Sequence, residues 1–257
     1  MKLCCSVNAQ NLLSQNYVMP IGLEENINTW ISQLEKEYKV SNSVDCVIFG
    51  YGDDGLKVLA LECNMPPFEK LPSLVGDLVR PDENLDEAAK RILDMRTGIK
   101  DLYLEQVSTF SDIGRHPLGR VISTAYYALI NVADFNPYKL EFSEKVKWIS
   151  TSDLDKMAFD HFEILNVCIT RLRQALRQKP IGFSLLPSKF TLKQLQSVYE
   201  VILDVKLDKR NFRRKLKKFQ ILKEHKDLQQ DVNHRPAKYY SFDLKKYNQN
   251  NGYHFQL

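Results

Sequence analysis

The sequence predicts two folding units in succession: an α/β/α sandwich built on a mixed sheet, and a smaller α+β unit that carries most of the basic residues. Three observations support this prediction. Strand-like and helix-like hydrophobic patterns alternate as far as residue 179, two short helices and two strands are indicated after Pro180, and the net charge changes sign between the two parts. With 257 residues, 44% of them hydrophobic, the chain can fill two modest cores. We expect three segments, 1–40, 41–179 and 180–257.

The first forty residues are predicted to form an arm and a helix, and a hairpin is expected to follow them. Apolar residues recur at helical spacing over 24–38, whereas residues 1–25 are polar and aperiodic, which favours an arm or a dimer element. The segments 44–49 and 56–61 are mostly apolar, include β-branched residues, and flank a Gly/Asp-rich stretch, 50–55. Such a pattern is typical of two strands joined by a turn.

One helix of the sandwich has clear signals at both ends. Asn84, with Glu87 three residues later, predicts a capping box at its start, and Gly98 predicts its end. The apolar stripe between them indicates a face that packs on a sheet. Less sharply bounded patterns predict the remaining strands and a closing helix, at 102–110, 121–132, 145–149 and 162–178.

The basic unit begins with two helices and ends with a hairpin, which together predict a winged helix-turn-helix. Thr191 and Gln194 form a capping box ahead of the first apolar stripe, and Asp208 is placed to cap the second helix. Segments 221–224 and 237–242 predict the two strands of a wing. The second helix is a candidate recognition helix, because three apolar residues form an inward spine: Phe212, Leu216 and Phe219.

The charge of the chain is concentrated in this basic unit. Residues 180–257 hold 16 Lys and Arg against 7 Asp and Glu, whereas residues 1–179 hold 20 against 25. Such an asymmetry suggests that one part faces a polyanion. Arg and Asn match the edges of guanine and adenine, and Lys suits phosphates. We therefore expect DNA contacts from ten residues: Lys193, Lys209, Arg210, Asn211, Arg213, Arg214, Lys217, Lys218, His234 and Arg235.

Composition also excludes several classes of protein. No apolar run is long enough for a membrane span, and the first residues lack the pattern of a secretory signal, so we expect a cytoplasmic protein. Five cysteines are an odd number, and three lie in apolar stretches, which predicts free thiols rather than disulfides. No ligand cluster for a metal or cofactor is indicated, and we expect neither.

Residues 77–99 resemble the Nudix box, G-x5-E-x7-R-E-U-x-E-E-x-G-U. Glu83, Arg91 and Gly98, together with Ile99, set the register. In Nudix hydrolases the glutamates of this box hold divalent cations that activate water, and hard cations need such clustered oxygens. Here the glutamate positions carry Ile92, Met95 and Arg96, and Asp77 replaces the opening glycine. We expect the fold to be kept, the hydrolysis to be lost, and the chain not to be an enzyme.

Other interpretations of the box remain open. The simplest role for Glu83 and Arg91 is an ion pair that stabilises the fold. A hydrolase that acts on a nucleoside diphosphate derivative would have to use acids other than the usual glutamates of the box as metal ligands. The candidates are Glu105, Asp82 and Asp86. A third hypothesis is a plain interaction module whose basic C-terminal part binds an acidic protein.

The combination of a degenerate Nudix box with a basic winged helix resembles the Nudix-related transcriptional regulators (NrtR-like), over about residues 43–243. The resemblance implies a homodimer on a palindromic double-stranded DNA operator, with a small-molecule effector in the Nudix cleft, either a pentose or an ADP-ribose-type nucleotide. The strand around Tyr126 and Tyr127 favours the sugar-responsive branch. Polar residues of the first unit are the candidate effector contacts: Arg80, Glu105, Asp112, Arg115, His116, Arg120, Asp160 and His161.

Overall fold

The computed structural model describes residues 29–30, 32, 39–52, 55–100, 102–117, 119–135, 146–229 and 236–249. Two compact units are present, Met1–Val40 and Ser41–Leu257. In the first, Thr29, Trp30 and Ser32 are helical, as the apolar spacing over 24–38 predicts. The predicted arm over 1–25 lies outside the described residues. No helix in the described ranges is long and apolar enough to cross a bilayer.

The centre of the second unit is a seven-stranded mixed sheet. The strands are β1 (Ser41–Gly52), β2 (Gly55–Glu62), β3 (Pro72–Ser73), β4 (Val75–Leu78), β5 (Glu105–Phe110), β6 (Val121–Asn131) and β7 (Val146–Ser150). The strand order is β3-β2-β1-β6-β5, with β4 also beside β1 and β7 also beside β2. Strands β1 and β6 are parallel and the other neighbours are antiparallel.

Two helices cover opposite faces of this sheet, α1 (Leu85–Thr97) and α2 (His161–Gln178). Alternate residues of β1 belong to different hydrophobic clusters, because successive side chains of a strand point to opposite faces. Val47 and Phe49 pack in the cluster that contains α2, and Ile48 packs in the cluster that contains α1. The predicted α/β/α sandwich with a mixed sheet is therefore confirmed.

The boundaries of α1 are set locally, as predicted. The Asn84 side chain accepts from the Glu87 backbone N–H, and the Glu87 side chain accepts from the Asn84 N–H. Gly98 ends the helix in the left-handed region, with φ of 67°, a conformation that glycine adopts without steric cost.

The turn predicted over 50–55 is shorter than expected. Strand β1 continues to Gly52, which pairs directly with Gly55. Gly50 is a strand residue, and a Cβ atom there would lie 2.9 Å from the Trp148 ring. The glycine at position 50 therefore permits close packing against Trp148 and is not part of a turn. Sequence alone does not distinguish these two roles of a glycine.

The C-terminal part of the second unit is a winged helix, as predicted. A short 3-10 helix, Ile181–Leu185, leads into it. Strands β8, β10 and β9 form its small antiparallel sheet in that order. Its elements are β8 (Phe190–Thr191), α3 (Leu192–Leu203), α4 (Lys209–Phe219), β9 (Leu222–Leu228), β10 (Lys238–Phe242) and α5 (Leu244–Gln249).

The winged helix and the large sheet share one hydrophobic core. A single cluster of buried residues extends from Phe49 and Val58 in the sheet, through Leu172 of α2, to Leu195 and Phe212. The two cores of the unit therefore lie on the two faces of the sheet, and one of them continues into the winged helix. The division between 179 and 180 stays a prediction.

Candidate functional site

The Nudix-box segment is closed by the predicted ion pair. The Arg91 guanidinium donates to both carboxylate oxygens of Glu83, at 2.8 and 2.5 Å, and to the Leu78 carbonyl at 3.0 Å. Glu83 also accepts from the Arg80 backbone N–H at 2.9 Å. The hydrogen bonds from Arg91 lower the pKa of Glu83 to about 2. Glu83 and Arg91 thus fasten the loop before α1 to the helix.

The three box positions that lack glutamate have different surroundings. Ile92 is fully buried in the core between α1 and the sheet. Met95 is 39% exposed. Arg96 donates to the Asp77 carboxylate at 2.7 Å, and both side chains of this ion pair line a neighbouring cavity. Among the described residues, no group of three His, Cys, Asp or Glu side chains is arranged to hold a metal ion.

Next to Arg96 a cavity of about 340 Å³ opens between β1, β2, β4 and the segment that precedes α2. Its floor contains a buried carboxylate, Asp45, whose side chain is 7% exposed. The Ser123 hydroxyl donates a short hydrogen bond to Asp45 Oδ2. The Arg115 guanidinium lies 3.9 Å from the same oxygen, and His161 Nε2 lies 3.5 Å from Oδ1.

Arg115 is held by a second carboxylate. Its Nε and Nη2 atoms donate to the two oxygens of Asp160 at 2.6 and 2.7 Å, and the Arg115 side chain is only 5% exposed. A two-pronged pair of this kind fixes the plane of the guanidinium as well as its position. Arg115 is therefore a preformed part of the cavity wall, held in position by Asp160.

The protonation state of His161 follows from its contacts. The Leu74 backbone N–H donates to Nδ1 at 3.0 Å, so Nδ1 is the acceptor and Nε2 carries the proton that faces Asp45. Burial, the largest effect, lowers the pKa of His161 although Asp45 opposes it. The ring is therefore neutral at pH 7. His116, at the same cavity, stacks on Phe159 with 4.9 Å between ring centres.

Four of the eight candidate effector contacts meet at this cavity. Arg115, His116 and His161 line it, and Asp160 positions Arg115. The other four lie elsewhere. Arg80 and Asp112 are exposed residues outside the lining, and Arg120 donates to the carbonyls of Ser111 and Asp112.

Glu105 is the fourth residue outside the cavity. It begins the edge strand β5, where it accepts from the Tyr127 hydroxyl at 3.2 Å and pairs with Arg171 at 3.4 Å and Lys179 at 3.7 Å. These contacts join the sheet to α2, so Glu105 has a structural environment. Asp82 and Asp86, the other acids considered for a hydrolase, are likewise absent from the cavity lining.

Sequence reasoning missed Asp45, which lines the cavity, and Ser123, which donates to Asp45 from beneath the lining. Asp45 and Ser123 are buried polar residues within otherwise apolar strands, which is the one signal that was available. A Cβ atom on Gly76 would lie 2.1 Å from Asp45 Oδ1, so the glycine makes room for the carboxylate.

The candidate recognition helix α4 exposes a continuous cationic surface. Phe212 and Leu216 are buried, and Asp208 caps the helix by accepting from the Asn211 N–H at 2.8 Å. Arg214 donates to the Asn211 side chain at 2.8 Å. In the described parts of the chain no acidic side chain pairs with the cations of this surface, which are Lys209, Arg210, Arg213, Arg214, Lys215, Lys217 and Lys218.

Lys193, on α3, is also exposed and is the remaining described residue of the predicted DNA contacts. His234 and Arg235, predicted at the tip of the wing, lie outside the described residues. The strands that carry the wing, β9 and β10, are held together by an ion pair between Lys238 and Glu224.

An α/β/α sandwich joined to a winged helix with an exposed cationic helix, in a chain whose residues 77–99 resemble a Nudix box without three of its glutamates, is the architecture of a Nudix-related DNA-binding regulator. The model of the NrtR DNA-binding winged helix domain matches residues 182–242. The ADPR responsive transcriptional repressor NtrR of Acinetobacter baylyi is 34% identical over 212 residues, which are 81% of this chain and 84% of the repressor. This chain belongs to the NrtR-like family of Nudix-related transcriptional regulators.

The chain is also similar to a solved regulator and to a Nudix-type enzyme. The crystal structure of Shewanella oneidensis NrtR complexed with a 27mer DNA superimposes with a TM-score of 0.71 and 28% identity, and the match covers 80% of this chain and 95% of the other. An ADP-ribose pyrophosphatase of Methanocaldococcus jannaschii is 24% identical over 130 residues, 51% of this chain and 76% of that enzyme.

Proposed function

We propose that the chain is a transcriptional regulator that binds a palindromic DNA operator as a homodimer and changes its DNA affinity when a small molecule occupies the Nudix cavity. The observation that carries this proposal is helix α4, whose exposed side is cationic while Phe212 and Leu216 hold it in the core. The similarity to NrtR of Shewanella oneidensis, described in complex with DNA, supports it.

The side chains of α4 suit a helix lying in the major groove. Arginine and asparagine read base edges there, and lysine contacts phosphates without sequence preference. In a dimer of winged helices the two recognition helices must be about 34 Å apart, one turn of DNA. A ligand that favours one dimer geometry thereby alters the DNA affinity, and a coupling of about 1 to 3 kcal/mol is sufficient.

We further propose that the Nudix-type part binds its ligand without hydrolysing it. A magnesium ion needs about six oxygen ligands, which the glutamates of a Nudix box help to supply. In this chain Ile92 is committed to the core, and Arg96 brings a positive charge to the cleft. A divalent cation at that place would lack the carboxylates of the box glutamates, and the nearby Asp77 carboxylate is already paired with Arg96.

The effector belongs to one of two classes, a free pentose or an ADP-ribose-type nucleotide. The relative from Acinetobacter baylyi is named as ADPR responsive, which favours the nucleotide class. The strand segment around Tyr126 and Tyr127 favours the sugar class by its resemblance to sugar-responsive regulators. Both classes contain a pentose ring.

The proposed function is tested by fluorescence anisotropy with the DNA that precedes the gene of this protein. We expect specific binding whose affinity decreases at least about 100-fold between 50 and 200 mM salt, because cations that contact phosphates release counterions. Binding that is absent, or indifferent to salt, would contradict the proposal. Capture of an acidic protein instead of DNA would favour an interaction module.

A second assay addresses hydrolysis. ADP-ribose and Mg²⁺ are incubated with the protein, and release of AMP is measured. We expect no turnover above the rate without protein. Turnover far above that rate would show that acids outside the box positions serve as metal ligands and would favour the hydrolase.

A further inference from the structure

We propose that Arg173 is a positioning residue for DNA binding. It ties the turn of the helix-turn-helix to α2, the helix that begins at the cavity, and thereby transmits occupancy of the cavity to the recognition helix α4. This inference rests on the proposed function, which includes a response of DNA affinity to a ligand, and it adds the side chain through which that response passes.

Helix α2 extends from the cavity to the winged helix. Its first residue, His161, lines the cavity and accepts from the Leu74 backbone N–H. Leu172 and Leu176, in the second half of the helix, are fully buried in the core that continues into the winged helix. Arg173 lies between them, about 18 Å from His161 along the helix axis, at a rise of about 1.5 Å per residue. One continuous helix therefore contacts the cavity at its start and the winged helix near its end.

Arg173 meets α3 at the last turn of that helix. Its Nε atom donates to the Ile202 backbone carbonyl at 2.8 Å, and its side chain is half-buried. The last four carbonyl groups of a helix have no partner within the helix, and a cation there also compensates the negative end of the helix dipole. The last turn of α3, residues 200–203, contains no Lys or Arg in its sequence. Helix α2 therefore supplies the cap that α3 does not supply for itself.

The capped end of α3 leads directly into the turn of the helix-turn-helix. Asp204 adopts the left-handed conformation, with φ of 54°, and the Val205 backbone N–H donates to the Glu200 carbonyl at 3.1 Å. The Glu200 carboxylate accepts from the Leu207 backbone N–H at 2.8 Å. Because these hydrogen bonds hold both ends of the turn, a shift of the end of α3 moves Asp208 and α4 with it.

The directional contact of Arg173 differs from the apolar packing around it. Packed helices can slide past one another by small distances, whereas a hydrogen bond weakens steeply when donor and acceptor lose their alignment. In the described chain Arg173 has no carboxylate partner, in contrast to Arg171, which pairs with Glu105. Arg173 therefore serves the contact with α3.

Loss of this contact should weaken the response to a ligand without weakening ligand binding. A ligand changes DNA affinity only if it favours one arrangement of the elements that present α4. Arg173 is outside the cavity lining, so its removal leaves the groups that line the cavity in place. The expected signature is therefore loss of coupling between two sites that both remain intact.

The experiment measures operator binding by fluorescence anisotropy, with and without an excess of ADP-ribose, D-ribose, D-xylose or L-arabinose. We expect at least one compound to change the wild-type dissociation constant for DNA about ten-fold or more. With that compound, the change should fall below about three-fold in Arg173→Met, which removes the donor and keeps an apolar stem. Arg173→Lys should retain most of the response, because the contact uses a single donor.

Arg177→Met is the matched control. It makes the same change at an exposed position of the same helix and should respond as the wild type does. Titration of each variant with the compound, without DNA, should give wild-type affinity. An unchanged DNA response in Arg173→Met, or an equal loss of response in Arg177→Met, overturns the inference.

Hydrogen exchange provides a second measurement, which needs no DNA. In a peptide that covers residues 200–207, exchange should be at least about five-fold faster in Arg173→Met than in the wild type, because the end of α3 has lost its cap. In the wild type, the compound that alters DNA binding should also alter exchange in this peptide, although none of its residues lines the cavity. Equal exchange in either comparison overturns the inference.

The comparison with and without the compound uses the wild-type protein, so it decides the matter if Arg173→Met does not fold. A wild type that binds DNA and responds to none of the compounds contradicts the effector part of the proposed function and overturns the transmission. The exchange of Arg173→Met then shows separately whether Arg173 holds the turn.

Discussion

Tyr51 and Ser197 join the large sheet to the winged helix through a hydrogen bond of 2.9 Å between their hydroxyl groups. Tyr51 lies at the end of β1, the strand whose beginning lines the cavity, and Ser197 lies on α3, the first helix of the winged helix. The same strand therefore contacts the candidate ligand site at one end and the DNA-binding part at the other.

We expect this hydrogen bond to contribute about 0.5 to 1.5 kcal/mol to the free energy of unfolding. The measurement is a double-mutant cycle of Tyr51→Phe and Ser197→Ala by urea denaturation. The two changes should be less than additive, because either one removes the same bond. A cycle of Tyr51→Phe with Thr170→Ala, an exposed residue of α2, is the control and should be additive. Strict additivity of the first pair would refute the contact.

Restoring one glutamate of the Nudix box is expected to damage the fold. Ile92 is fully buried, so Ile92→Glu places a carboxyl group in the core and lowers the free energy of unfolding by about 3 kcal/mol or more. Met95→Glu makes a similar change at a side chain that is 39% exposed, and should alter stability by about 0.5 kcal/mol at most. Equal stability of the two variants, measured in urea, would show that Ile92 is not committed to the core.

Removal of one arginine from α4 should weaken DNA binding in a specific manner. Arg213→Ala is expected to lower the affinity for operator DNA at least about ten-fold, a loss of roughly 1 to 3 kcal/mol if the side chain contacts a base. If Arg210 contacts a phosphate instead, Arg210→Ala should make DNA binding less sensitive to salt. The slope of the logarithm of the binding constant against the logarithm of the salt concentration should decrease in magnitude by about one. Lys147→Ala, an exposed cation on β7, is the matched control. Unchanged affinity in both arginine variants would exclude α4 from the DNA interface.

The stability of the protein should fall on acidification near neutral pH. Burial lowers the pKa of His161 in the folded protein below the ordinary value of about 6.5, which applies to the unfolded chain. At pH values between the folded-state pKa and the unfolded-state pKa, the unfolded chain therefore binds more protons than the folded one. The free energy of unfolding therefore rises with pH through that window, and it decreases as the pH falls below about 6.5. His161→Gln should flatten this slope, which is measured by denaturation at several pH values.

His116→Gln is the control for that experiment. The pKa of His116 is also lowered, chiefly by burial, but the variant leaves His161 and its hydrogen bonds with Leu74 and Ser73 in place. It should therefore keep most of the slope. A slope that is lost in His116→Gln and kept in His161→Gln would reverse the assignment.

Several features of the protein were predictable because they depend on neighbours in the chain. The capping boxes at Asn84 and Thr191 involve residues three positions apart, and both are present. The ion pair of Glu83 and Arg91 spans eight positions, from the loop before α1 to the second turn of that helix, and it too was predicted. The inward spine of α4 follows from helical periodicity alone.

The cavity was not predictable in the same way. Asp45 meets Ser123 across 78 positions of the chain, and Arg115 meets Asp160 across 45. Glu105 looked equivalent to these residues in sequence, yet the pairing of β5 at the edge of the sheet directs it toward Arg171 and α2. Which polar residues of the first unit share a cavity depends on strand order and register, which are properties of the whole sheet.

By itself, the sequence determined the class of fold, the missing glutamates of the Nudix box and the cationic surface of α4, since each is expressed in residue type and short-range spacing. Only the tertiary structure decided that Arg96 pairs with Asp77, that Asp45 is the centre of a buried polar network, and that one core continues from the sheet into the winged helix. The physical reason is that local order is encoded by interactions within a few residues. The positions of charges in a cavity depend instead on contacts between distant segments, which form only when the chain has packed.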